Sequence, residues 1–279
     1  EANNPLRIWG IQGYDSVEMV RKVTKYANRV MDPQQIRYEL GKAHHVATTG
    51  RPGPVWLDVP MNIQATLIET DGLPEFQANA LPAALPLQAV AMTSMASAAS
   101  ATPSDRIIRD PKEAAREVLS KLEGAKRPVI WLGHGIRLAE ATHLIRPLLD
   151  RFEAPALVSW AGIDMVDSDH PRLFGRAGVY GQRCANFVLQ NCDFLLTIGT
   201  RLAVPQVGYD LSEFARAAEI ACVDIDAAEA VKHGDRITFP ICMDAKAFMA
   251  ALLDGAGGRA PLTYDPWMTQ CGLYREKYP

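Results

Sequence analysis

Residues 128–159, PVIWLGHGIRLAEATHLIRPLLDRFEAPALVS, set the pattern from which the fold is read. PVIWLG (128–133) is a short apolar run, LAEATHLIRPLLDRF (138–152) has helical spacing, and APALVS (154–159) is again short and apolar. The same alternation continues on both sides. A helix, KEAAREVLSKLEG (112–124), comes before it; GQRCANFVLQNC (181–192) as loop and helix, then DFLLTIG, EIACVDID, ITFPICM and the helix AKAFMAALLD (245–254) come after. Short apolar strands alternating with amphipathic helices specify a parallel sheet covered on both faces, with right-handed crossovers. The expected fold class is therefore α/β: a Rossmann-like domain over residues 104–255.

Outside that block the pattern is less regular. Residues 1–67 read as the closing part of another α/β unit. DSVEMVRKVTKYANRV (15–30) places Val17, Val20, Val23, Tyr26, Ala27 and Val30 at helical spacing behind Asp15 or Ser16. DPQQIRYELGKAHHVATTG (32–50) predicts a second helix, opened by Asp32 and Pro33 and closed by Gly50. Pro52, Gly53 and Pro54 then make a turn before a strand at Val55–Val59. One clear strand in this stretch does not build a parallel sheet, so the remainder of that sheet is expected upstream. Residues 68–103 read as an interdomain linker: its core, NALPAALPLQAVAMTSMASAASATP (79–103), is rich in Ala, Pro, Ser and Met and almost free of charge. Residues 256–279 open on a glycine-rich hinge and read as a connector to a further domain.

Composition bounds the partners. With 29 Lys and Arg against 32 Asp and Glu, a net charge of −3 gives no footprint for nucleic acid or an anionic membrane. No apolar run approaches the roughly 20 residues that span a bilayer, and the first residues, EANNPLRIWG, lack the layout of a signal peptide. The expectation is a cytoplasmic segment from within a longer polypeptide. Five cysteines without a CxxC pair read as buried thiols rather than a disulfide framework or a zinc site.

In an open parallel sheet, ligands bind beyond the carboxyl ends of the strands. Four segments are expected there: Gly133, His134 and Gly135 in WLGHGIR; Gly175, Gly178 and Gly181 in FGRAGVYGQR; Gly199, Thr200 and Arg201 in TIGTRLA; Asp224 and Asp226 in VDID. Glycine lets a backbone approach a phosphate closely, yet serves a tight turn equally well. Arg201 suits a phosphate or a surface ion pair, and Asp226 a ribose or a helix cap. GHGIRL lacks the third glycine of the dinucleotide fingerprint. The histidines have no metal-ligand spacing, and Ser159 in VSWAG lacks the glycine of a nucleophile elbow.

Taken in order, GRPGPVWLDVPMNIQ, KRPVIWLGHGIR, RFEAPALVSWAGID, the long DHPRLFGRAGVYGQRCANFVLQNCDFLLTIGTRL and ACVDIDAAE resemble the acetolactate-synthase-like family of thiamine-diphosphate-dependent enzymes. The first resembles the end of the family's pyrimidine-binding domain, the rest its central domain, and the resemblance spans almost the whole chain. It implies a carboligase or decarboxylase of a 2-keto acid, a transferase or lyase, with thiamine diphosphate and Mg²⁺ as cofactors and homodimers or homotetramers as the assembly. The cofactor is the electron sink, and the protein positions it and excludes water. The family's glutamate for the aminopyrimidine ring is expected upstream of Glu1. Its GDG-then-Asn motif for Mg²⁺ and diphosphate is expected beyond Pro279, so no catalytic or metal-ligating residue is assigned here, and the chain alone is expected to be inactive.

The resemblance further implies FAD, ADP or no ligand in the central domain. Gly133, His134 and Gly135 would cradle phosphate. Ser159, Trp160, Gly175 and Gly178 would wall the pocket, while Gly199, Arg201, Asp224, Ile225 and Asp244 would reach ribose, phosphates or adenine. Gln12 and Lys25 match positions near the substrate channel. The chain departs from the pattern in two places: Ala203, Val204 and Pro205 stand where an acidic pair and an arginine are expected, and Gly13 stands in place of a glutamate. These departures put FAD and a standard branched-chain biosynthetic role in doubt. The alternative is a free-standing, regulatory adenine-nucleotide module; a nicotinamide dehydrogenase would need the missing third glycine.

Overall fold

The computed structural model describes residues 14–78 and 106–278. The chain divides into two units, residues 1–98 and 99–279. The linker core at 79–103 and Gln12 lie outside the described residues.

The larger unit is built on five strands, β3 (Pro128–Leu132), β5 (Ala156–Val158), β6 (Phe194–Ile198), β7 (Glu219–Asp224) and β8 (Phe239–Cys242), in the order β5-β3-β6-β7-β8. All four pairings are parallel, with Ile130 beside Ala156 and Leu196, Leu196 beside Ala221, and Ala221 beside Phe239. Counted along this sheet alone, the order is 2-1-3-4-5, a doubly wound arrangement whose direction reverses between β3 and β6. Every residue of β3 and β6 is buried, as a sheet covered on both faces requires. Isolated bridges protect both edges, Leu173 against β5 and Ile108 against β8.

Helices cover both faces. α4 (Pro111–Gly124), capped by the Asp110 carboxylate on the Glu113 amide at 2.8 Å, packs with α10 (Ala245–Ala256). α6 (Ile145–Arg151) joins that pair, while α7 (Arg183–Asn191) packs with α11 (Asp265–Lys277). Between them Trp131, Phe152, Phe194, Phe214 and Phe248 are fully buried. The helix expected over 138–152 is broken. α5 (Gly135–Leu138) ends before Glu140, whose φ is +53°, and α6 begins after a 3-10 turn at Thr142–Leu144. A left-handed residue interrupts the helical hydrogen-bond ladder, and apolar spacing does not report it.

The segment read as a connector folds onto this unit. β9 (Leu262–Thr263) pairs in parallel with β4 (Phe152–Glu153), and α11 buries Trp267 and Cys271. Tyr264 Oη donates to Leu122 O at 2.8 Å, and Trp267 Nε1 donates to Pro128 O at 3.1 Å.

The smaller unit differs from expectation at its first helix. α1 covers only Ser16–Val20, and Tyr26–Arg29 is a strand, β1, parallel to β2 (Val55–Asp58) with Tyr26 opposite Val55. The unit thus has two strands among its described residues, not one. α2 (Ile36–Thr48) follows the expected course behind a 3-10 turn at Pro33–Gln35, and Gly50 takes φ +62°.

Cys184, Cys192, Cys222 and Cys271 are buried, Cys242 is half-buried, and all five are unpaired. Burial pushes the Cys192 and Cys222 thiols up to about 12. A thiol reagent at pH 8 is expected to label Cys242 at most, and all five cysteines only in denaturant. Labelling of Cys192 as fast as Cys242 would contradict this placement. Because unfolded thiols ionise at about 8.5, these two residues stabilise the fold fully below that pH. Their contribution falls as pH rises from there toward the folded values.

Candidate functional site

The strand order places the topological switch between the carboxyl ends of β3 and β6, and the two loops there are in backbone contact. The Gly133 amide donates to Ile198 O at 2.8 Å and the Gly135 amide to Gly199 O at 3.0 Å. A Cβ on Gly133 would lie 2.1 Å from Gly199 O, and one on Gly135 2.7 Å from Gly199 Cα. These three glycines serve the close approach of one loop to the other, since no side chain fits between them. His134 Nδ1 lies 2.9 Å from Ala161 O, which ties the β3 loop to the turn after β5.

That turn carries Ser159, buried, and Trp160, half exposed. The Ser159 amide donates to Leu132 O at 2.9 Å. Trp160 meets Tyr180 with ring centroids 5.8 Å apart. Tyr180 belongs to the loop of Gly175 and Gly178, whose φ values are +96° and +124°. Gln182 folds over Gly175, its Oε1 accepting the Arg176 amide at 2.8 Å. Asn186 clamps Gly178 in both directions, Oδ1 accepting its amide at 2.8 Å and Nδ2 donating to its carbonyl at 3.0 Å. The Val179 amide donates to Pro205 O at 2.8 Å, joining this loop to the β6 end.

After β6 the backbone is strained. Gly199, Arg201 and Leu202 have φ of +61°, +62° and +47°, and two non-glycine residues in the left-handed region need support from their surroundings. α9 (Ala227–Val231) and the residues after it provide that support. Arg201 Nε donates to Glu229 Oε1 at 3.1 Å, Lys232 Nζ donates to Arg201 O and reaches Glu229 Oε2 at 2.6 Å, and His233 Nε2 donates to Leu202 O at 2.7 Å. Burial lowers the His233 pKa, which keeps the ring neutral near pH 7. The Thr200 hydroxyl is buried with no hydrogen-bond partner among the described residues.

The carboxylates at the next two strand ends have local tasks. Asp224 Oδ1 accepts the Asp226 amide at 3.0 Å, and Asp226 Oδ1 caps α9 through the Ala228 amide at 2.9 Å. Asp244 caps α10 through the Lys246 and Ala247 amides at 2.9 and 3.2 Å. Ile225 stands exposed between the two aspartates. Lys25 belongs to the other unit. Its ammonium donates to Thr49 O at 2.7 Å and Arg51 O at 2.8 Å, closing the end of α2, and desolvation lowers its pKa.

The expected residues of the larger unit therefore gather at the carboxyl ends of the strands. Several are engaged with one another, and what faces outward is Arg201, Trp160, Tyr180 and Ile225. Tyr180, Asn186 and the Glu229–Lys232–His233 support were not anticipated. Asn186 was visible within GVYGQRCANFV, but its clamp on Gly178 appears only when the loop folds back. Among the described residues no group of three or more His, Cys, Asp or Glu converges as a metal site would require. No helix among them is long and apolar enough to cross a membrane.

Residues 115–252 match the family model of the thiamine pyrophosphate enzyme central domain. The chain is similar to the probable acetolactate synthase large subunit of Methanocaldococcus jannaschii, with 28% identity over 242 residues, covering 87% of the chain and 37% of that protein. It is 28% identical over 267 residues to acetolactate synthase isozyme 2 large subunit of Escherichia coli, covering 96% and 42%. To acetolactate synthase 1, chloroplastic, of Zea mays it is 28% identical over 285 residues, covering 99% and 40%. The chain spans about two fifths of the length of these relatives.

Proposed function

From the premise that the chain belongs to the thiamine pyrophosphate enzymes, whose central domain it carries at residues 115–252, we propose that it serves an acetolactate-synthase-like carboligase or decarboxylase of 2-keto acids. The observation that carries this reading is that the family match falls on the doubly wound sheet of the larger unit, while similarity to the synthases covers 96–99% of the chain and so extends into the smaller unit. Residues 1–67 serve as the end of a pyrimidine-binding domain, residues 68–103 as a linker, and 256–279 as the lead to a diphosphate-binding domain. The assembly is a homodimer or homotetramer.

Thiamine diphosphate, when bound, supplies the carbanion chemistry. A Mg²⁺–diphosphate site needs several hard oxygen ligands in fixed geometry, and the described residues do not fit one. No step of the reaction is therefore placed on them. Lys25, spent on α2, contributes as a brace rather than a channel group.

The carboxyl ends of the strands fit the adenine-nucleotide part of ADP or FAD better. Ile225 gives an apolar face for a ring, and Trp160 and Tyr180 an aromatic wall. Arg201 presents an exposed guanidinium, and the Thr200 hydroxyl needs a partner. In this reading Gly133, Gly135, Gly175, Gly178 and Gly199 shape the loops, and Asp224 at the end of β7 and Asp244 at the cap of α10 reach the ligand. ADP bound there would have a structural or regulatory role, whereas FAD would add a flavin spectrum.

The test has three arms. Titrating the 279-residue chain with thiamine diphosphate and Mg²⁺ is expected to give no binding. The gene product that contains these residues, given both cofactors and pyruvate, is expected to release CO₂. The chain is further expected to bind ADP, and Arg201→Ala to weaken that binding about tenfold, the loss of one charge-assisted contact. Tight Mg²⁺-dependent binding to the chain alone, or a gene product inert toward every 2-keto acid, would overturn the proposal.

A further inference from the structure

A second concave site lies at the other end of the sheet. Lys126 and Arg127 precede β3, Gln190 and Asn191 end α7 before β6, and Arg216 precedes β7, so their cleft opens at the amino ends of the strands. Its volume of about 650 Å³ suits a small molecule rather than a protein segment. Trp267 and Tyr274 of α11 form its apolar wall.

Charge at this cleft is predominantly positive. Asp193 lies beside the first two cations, and its carboxylate oxygens accept the amides of Lys126 at 3.0 Å and Arg127 at 2.8 Å. Among the described residues no carboxylate pairs with the side chains of Lys126 or Arg127. Arg127 Nε donates to Asn191 O at 2.7 Å, which fixes one edge of the guanidinium. Arg216 reaches Glu213 only at 3.8 Å, and its side chain is 61% exposed. α11 begins at the cleft without a side-chain cap, so its first-turn amides add positive potential, partly offset by Asp265.

We propose that this amino-end cleft is a binding site for a small organic polyanion, one carrying two or more phosphate or carboxylate groups. Its acidic groups engage Lys126, Arg127 and Arg216, and its carbon skeleton lies along Trp267 and Tyr274. The site is separate from the nucleotide pocket proposed above and does not depend on it, since the two lie at opposite ends of the strands.

The experiment titrates the full chain with pyrophosphate and, separately, with citrate at low ionic strength, by calorimetry. At least one is expected to bind with a Kd below about 1 mM, weakening as salt is raised to physiological strength. The Arg127→Gln, Arg216→Gln double variant is expected to bind at least about tenfold more weakly. Lys126→Gln with Arg216→Gln, which leaves the Arg127–Asn191 bond intact, should repeat the loss. Arg146→Gln, an exposed cation on α6, should not. Preference for pyrophosphate assigns a phosphorylated ligand, and preference for citrate a polycarboxylate. Failure of both anions to bind, or equal weakening by Arg146→Gln, would overturn the proposal.

Discussion

Gly133→Ala is expected to destabilise the larger unit by about 3 kcal/mol, the upper part of the range for overpacking a closed interior. The added methyl would sit 2.1 Å from Gly199 O and 2.4 Å from Thr200 Cα, both backbone atoms that no rotamer change can move aside. Relief requires separating the ends of β3 and β6, and with them the bonds from the Gly133 amide to Ile198 O and from the Gly135 amide to Gly199 O. For a unit of this size the midpoint of thermal unfolding should fall by roughly 6–12 °C. Gly199→Ala should be comparably harmful for two reasons: a Cβ 2.7 Å from Gly135 Cα and a φ of +61°. Gly124→Ala is the control. No atom lies within 4 Å of its Cβ position at the end of α4, so helix propensity alone acts and a small gain is expected. The experiment also separates two meanings of these glycines. If they were kept for a ligand's phosphate, Gly133→Ala would weaken ADP binding and leave stability untouched. The loop geometry calls for the reverse, a large loss of stability whether or not ADP is present. A melting curve for Gly133→Ala that overlays the parent would show that the two loops have room the structure does not give them.

The strands of the larger unit were legible because each is an apolar run too short to be anything else. Val129–Leu132, Leu195–Ile198 and Ile220–Val223 are buried on both faces, so burial alone writes them into the sequence. β1 was not legible, for the opposite reason. Tyr26–Arg29 is only half-buried. Val17, Val20 and Val23 upstream happen to keep helical spacing. What makes it a strand is pairing with Val55–Asp58, 29 residues away, an interaction no local window contains. At the candidate site the residue types were readable but not their employment. The glycines and Asp226 each allowed a ligand role and a local one, and the local one is visible in the Gly133–Gly199 approach and the cap on α9; Asp244, read only as a ligand contact, caps α10. The Trp160–Tyr180 pair joins residues from separate loops, so neither stretch signals the other. The amino-end cleft is not legible because its cations come from two connections, before β3 and before β7, that only the sheet brings together.

Trp267→Ala is expected to cost about 3–5 kcal/mol, the range for deleting a buried aromatic side chain, and to release α11. The indole is 3% exposed, meets Tyr274 edge-on at 6.4 Å, and donates from Nε1 to Pro128 O at the start of β3. It therefore joins the last helix to β3, and with Cys271 it is one of the two buried residues of α11; the partly buried Tyr274 adds a stacked contact with Phe187 of α7 at 5.5 Å. A polar helix that loses its largest buried side chain should loosen before the sheet unfolds. Trp267→Ala is accordingly expected to become sensitive to protease around residues 257–261, while residues 106–256 stay folded. Trp267→Phe keeps most of the apolar contact and removes only the donor, so it should cost about 1 kcal/mol and leave α11 docked. Loss of Trp267 also strips the cleft of its wall, so Trp267→Ala should weaken anion binding where Trp267→Phe does not. If Trp267→Ala unfolds at the parent's denaturant midpoint with no new cleavage, α11 is not part of the cooperative unit. The glycines at 255, 257 and 258 would then act as the hinge that their composition first suggested.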